Sequence, residues 1–244
     1  MITIAAPDRT APPTYGWGAV LLLHLGPGAV FLAAYLPAAA VAEAVGLPRG
    51  TGFAAVAVLV IVPLEVWFLR RAARTETGVA SVLGAVDYRS PVRPVVAMAA
   101  VAGLLVTGAV IYFGAGGFTE WLDTTVFAWV PESFEVTDVS AGGTVLVAAV
   151  LVSLVCDGIV SPVVEELYYR GHLMARLPVR QVWRPVVSAG LFTAAHLWEP
   201  HLWPVVFAGQ LLNCLVVWKL RNVWIAAAFH VLANSTVTLL TLVG

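Results

Sequence analysis

Seven stretches of the chain run almost free of charge: 17–45, 52–69, 94–114, 142–162, 185–198, 203–218 and 223–243. A membrane-crossing helix needs roughly 20 mostly apolar residues. The pattern therefore predicts an all-α polytopic membrane protein of about seven transmembrane helices. Six or eight fit as well, because the fifth and sixth runs are short and the fourth continues helically through 163–176. The fifth and sixth meet at Trp198-Glu199-Pro200-His201, which reads as a tight turn. Inside the first run, Gly26-Pro27-Gly28 predicts a kink or a break. The mildly amphipathic segment 77–91 is expected to lie on one membrane surface. The 115–140 loop carries Trp121, Phe127, Trp129 and Phe134 and is expected on the other.

Composition strengthens this reading. The 244 residues are 60% hydrophobic and 11% charged, with a mean hydropathy of +0.91, more apolar surface than a soluble domain can hide. A net charge of −1 argues against a nucleic-acid partner. Cys156 and Cys214 sit in apolar runs without CxxC spacing and are expected as buried, reduced thiols. Residues 1–16 lack a basic n-region and are expected as a polar tail, not a signal peptide.

Charge orients the helices. Arg70, Arg71 and Arg74 follow the second run, and Arg89 and Arg93 precede the third. Arg176, Arg180 and Arg184 separate the fourth and fifth, and Lys219 and Arg221 the sixth and seventh. All four clusters fall on one side if the N-terminus is inside and the C-terminus outside. The other side receives Glu120, Asp123, Glu132, Glu135, Asp138 and Glu199, with Arg49 as the one misplaced cation. The chain divides into the tail 1–16, membrane helices and outer loop over 17–140, and a core over 141–244 that holds nearly all the polar groups inside the spans.

An ionisable residue inside a membrane helix costs ~2.5–3.5 kcal/mol on insertion scales, so it faces a protein interior or a wet cavity. Counted from Arg176, Arg184 and Arg221, Glu165, His196 and His230 all lie roughly 14–18 Å deep. Three helices thus bring a carboxylate pair, Glu165 and Glu166, and two imidazoles to one level. Glu166 and Arg170 are four apart and form a natural helical ion pair. His230 and Asn234 share one face, and Phe192 sits beneath His196 in the same spacing. Water activation fits this set. A buried carboxylate serves as general base near neutrality. A histidine across the cavity holds the same water, and a second histidine with an amide donates to an oxyanion. Glu165 with His196 would make the first pair and His230 with Asn234 the second, with Glu166, Arg170 and Phe192 in support.

EELYYR (165–170), FTAAH (192–196) and HVLAN (230–234), in this order on three membrane helices, resemble the EExxxR, FxxxH and HxxxN motifs of the CPBP family, the CAAX-processing and bacteriocin-processing (Abi) intramembrane proteases. The resemblance covers about 142–243. It implies an intramembrane endopeptidase in which Glu165 and His196 activate water, His230 and Asn234 form the oxyanion hole, and Glu166 and Arg170 support the site. The implied partners are the lipid bilayer and a membrane-anchored peptide or protein tail. One lysine against twelve arginines suits a high-GC bacterium, so the expected location is the bacterial cytoplasmic membrane and a prenylated CaaX substrate is not expected. No cofactor is expected. Zinc stays open, with Glu165, His196 and His230 as its ligands. A non-catalytic peptide-binding or immunity protein shares every one of these features. A transporter would spread polar groups along a path through both halves, and this chain concentrates them in one.

Overall fold

The computed structural model describes residues 12–131, 134 and 143–240. Expectations for residues 1–11, for Glu132, Glu135 and Asp138, and for the end of the seventh run lie outside the described residues. The fold is all-α. Helices α1 (Trp17–Ala44), α2 (Arg49–Thr77), α3 (Pro94–Gly114), α4 (Gly116–Trp121), α5 (Gly143–Arg176), α6 (Arg184–Ala195), α7 (Pro200–Leu220) and α8 (Val223–Leu240) follow in order. Six of them, all but α4 and α6, are long and apolar enough to cross a membrane. The chain is an integral membrane protein.

The fifth apolar run departs from the expectation of a full transmembrane helix. Helix α6 has 12 residues, about 18 Å at ~1.5 Å per residue, close to half a bilayer. The chain leaves the helix at His196 (φ −79°, ψ 68°) and runs through Glu199 to a 3₁₀ turn at Pro200–Leu202. That turn packs against Leu122–Val126 just after α4, and the His201 ring lies 3.4 Å from the Asp123 carboxylate. A half-helix followed by non-helical chain completes the distance. Such backbone at membrane depth is tolerated where it lines a cavity, and His196, Trp198 and Glu199 do line one.

Gly26-Pro27-Gly28 does not break α1, which continues through Pro27 and Pro37 to Ala44. The glycine has another use. A Cβ on Gly28 would stand 2.1 Å from the Ala195 carbonyl oxygen, so the missing side chain lets α1 touch the end of α6, one residue before His196.

Two long helices are not purely α-helical. Helix α2 contains a π-helical turn at Ala57–Ile61, and α5 contains two, at Cys156–Val160 and Glu166–Leu173. Such turns bond i to i+5 and are frequent at functional sites.

Segment 77–91 keeps Val79 and Leu83 exposed and turns the rest of its apolar face into the protein. Ala85, Val86 and Tyr88 are fully buried, because its apolar face plugs the end of the bundle that carries the arginine clusters. The Asp87 amide donates to Gly171 O at 2.8 Å, and the Val223 amide to Tyr88 O at 2.8 Å. The His172 ring is fully buried. Its Nδ1–H donates to Ala85 O at 2.9 Å, and its Nε2 accepts the Tyr15 hydroxyl at 2.8 Å. Beside it the Arg176 guanidinium holds Glu76 at 2.6 Å and also pairs with Asp87. Around these polar groups Leu69, Leu173, Met174, Leu177 and Val217 belong to one cluster of buried apolar side chains.

Candidate active site

The π-helical segment Glu166–Leu173 begins one residue after Glu165, so the two glutamates straddle a change of helical register and take different surroundings. Glu165 faces a cavity of about 720 Å³. Its Oε1 accepts the Ser161 hydroxyl at 2.8 Å, one turn earlier on the same helix. Glu166 is fully buried behind the cavity floor. Its Oε1 gathers three partners: Arg170 Nη1 at 3.3 Å, His230 Nδ1 at 3.0 Å and Asn213 Nδ2 at 3.2 Å. Arg170 in turn donates to Gln210 Oε1 and stacks 3.9 Å above the Phe192 ring. This buried cation is held by a carboxylate, an amide and an aromatic face, the compensation that burial of a charge requires.

His196 sits at the C-terminal end of α6. Its Nδ1 lies 2.9 Å from Phe192 O. A carbonyl only accepts, so Nδ1 carries the proton and Nε2 keeps its lone pair. The ring packs 4.5 Å from Phe192 and 4.9 Å from Trp198, and the Trp203 indole N–H donates to His196 O at 2.7 Å. Trp198 packs against Phe31 and Phe53 beside the cavity. Asn234 also lines the cavity. Its Nδ2 donates one hydrogen to Asp157 O at 3.3 Å, which leaves the second for another acceptor.

Glu165, His196, His230 and Asn234 therefore line one cavity, with Phe192 at its floor. Glu166 and Arg170 form the expected pair behind them. His230 has a partner that spacing along one helix does not indicate: its Nδ1 is bonded to Glu166 on α5. The Glu166 carboxylate accepts from Nδ1–H and so orients the imidazole. Among the described residues no group of three His, Cys, Asp or Glu side chains is placed to hold a metal ion, so the ligand set Glu165, His196 and His230 is not assembled.

Sequence reasoning underrated several residues. Ser161, Gln210 and Asn213 were given no role, although Ser161 stands one turn before Glu165 and Gln210 and Asn213 share a face of α7. Glu65 and Asp157, outside the three motifs, also line the cavity. Glu65 is buried to 1% exposure, and neither of its oxygens has a hydrogen-bond partner among the described residues.

Residues 147–236 match the family model described as Type II CAAX prenyl endopeptidase Rce1-like. The matched region contains all three motifs and every residue named at the cavity floor except Glu65. It bears out the resemblance to the CPBP proteases over that part of the chain. No curated protein and no solved structure matches the chain.

Proposed function

We propose that the protein is an intramembrane endopeptidase that hydrolyses a peptide bond of a membrane-associated substrate with water activated by Glu165. The match to a family of prenyl endopeptidases supports a protease. The observation that carries the mechanism is the division of labour between adjacent carboxylates. Glu166 is held through Oε1 by Arg170, His230 and Asn213, whereas Glu165 has one hydroxyl donor and faces open space.

In this reading a water sits between Glu165 and the lone pair of His196 Nε2. Glu165 takes one proton as the water oxygen bonds to the carbonyl carbon. The oxyanion receives the free Asn234 N–H and the Nε2–H of His230, whose charge Glu166 balances. The C–N bond then breaks, and Glu165 returns its proton to the leaving nitrogen. Ser161 holds Glu165 in place, and the Phe192 carbonyl fixes the His196 tautomer.

The test is cleavage of pooled membrane-anchored peptide tails by purified wild type and Glu165→Gln, each with chelator and then with added zinc. Cleavage by wild type alone, indifferent to chelator, is the expected result. Chelator-sensitive cleavage restored by zinc would replace the mechanism. Equal cleavage by Glu165→Gln would overturn the assignment of the base.

A further inference from the structure

The cavity extends well beyond the proposed catalytic residues, and its charge is one-sided. Among the described residues its lining includes four carboxyl groups, Glu65, Asp157, Glu165 and Glu199, and no lysine or arginine. Arg170 is fully buried behind the floor and occupied by Glu166, Gln210 and the Phe192 face, and His230 is bonded to the same Glu166. The rest of the wall is mostly apolar, with Phe31, Ile61, Leu105 and Phe229 among its residues.

Glu65 is the telling member. It projects from α2, and α2 packs on the Ser161–Glu165 turn of α5. Both its oxygens are buried and lack partners. Buried polar atoms are almost always satisfied, and a carboxyl left without a donor is costly. A ligand that brings a donor into the cavity would satisfy it, and a cation would do so most strongly.

We propose that the cavity selects a peptide segment bearing a basic side chain, which Glu65 binds, and excludes one that presents a carboxylate. This inference rests on reading the cavity as the peptide site. A C-terminal tail cut close to its end would carry its own carboxylate into this space. No lysine or arginine in the lining would meet it, the His230 imidazolium is already balanced by Glu166, and four acids would oppose it. An internal segment of a membrane-associated protein, apolar with a lysine or arginine near the bond, meets complementary chemistry.

The experiment separates selection from turnover. Three fluorescent peptides, capped at both ends and identical except for one central Lys, Gln or Glu, are titrated into the full-length Glu165→Gln protein in nanodiscs. A fourth carries the Gln sequence with a free C-terminal carboxylate. The Lys peptide is expected to bind at least about tenfold more tightly than the Glu peptide, a difference in line with like-charge exclusion from a dry site. The free carboxylate is expected to weaken binding relative to the capped Gln peptide. Adding Glu65→Gln should shrink the Lys-to-Gln ratio several-fold. Equal binding across the series, preference for the carboxylate, or no binding of any peptide would overturn the proposal. So would a ratio unmoved by Glu65→Gln. The series in the Glu65-intact protein decides the charge preference even if that variant fails to fold. Wild type then reports on the other question. Charge-selective binding without cleavage keeps this inference and sinks the protease reading, and cleavage indifferent to charge does the reverse.

Discussion

The two ends of the helical bundle treat charge in opposite ways. At the arginine-rich end, each buried ionic group is met by several partners. Arg176 holds Glu76, Asp87 and the His172 carbonyl, and His172 is bonded through both ring nitrogens. Toward the cavity, Glu65 has no hydrogen-bond partner among the described residues and Glu165 has one hydroxyl. The first arrangement is what stability asks of buried charge. The second is tolerable only if something else fills the space, and it marks where ligand chemistry belongs. Adjacent residues Glu165 and Glu166 repeat the contrast within a single turn.

The contrast can be broken from either side. The largest effect is expected for Glu165→Gln. Cleavage should fall by ~10²–10⁴-fold, the usual worth of a general base, while the thermal midpoint in detergent stays near wild type because only one hydroxyl contact changes. Next comes Arg170→Met, which strands Glu166 in the core. Losing one partner of a buried pair costs about 3–5 kcal/mol, and thermal unfolding should show it. The double variant with Glu166→Gln should recover part of that stability without recovering activity, since His230 then loses its orienting carboxylate. Gly28→Val should sit between the two ends. Its Cβ would collide with Ala195 O, and overpacking costs about 1–3 kcal/mol. The strain falls next to His196, so kcat should drop more than the melting temperature suggests.

The smallest effect is expected for Tyr15→Phe, which removes the hydroxyl from His172 at the saturated end. A hydrogen bond is worth about 0.5–1.5 kcal/mol, and cleavage should be unaffected. Burial holds the Tyr15 phenol above its ordinary 10.0, with Arg176 pulling the other way. The folded chain therefore keeps that proton longer than the unfolded chain. Its stabilising contribution is present below pH 10 and declines as pH rises above it. Thermal midpoints measured across that range should fall less steeply in the Phe variant.

Much of this was legible in the sequence because membrane helices obey a simple ruler. A fixed rise per residue and a few arginines as depth marks bring Glu165, His196 and His230 to one level, and all three line one cavity. The shortness of α6 was visible in the shortness of its apolar run. Other features leave no such mark. Amphipathic segment 77–91 has the same pattern whether it lies on lipid or plugs a bundle, and only the neighbouring helices decide. The bond from Glu166 to His230 joins two helices across 64 positions, and no spacing rule within one helix reaches it. Glu65 lies outside the region matched to the family and outside the three motifs, so nothing in its local sequence distinguishes it from a structural acid.

The π-helical segment Glu166–Leu173 adds a different kind of constraint. Deleting Leu173 alone would leave hydropathy, charge and all three motifs in their order. An α-helical register across the shortened segment would turn everything before it by about 100° relative to Arg176. The glutamate would then face a neighbouring helix or the lipid instead of the cavity. Part of this site is therefore written in phase: it depends on how many residues separate the base from its anchor, and a reader who checks only the letters would pass a broken copy as intact.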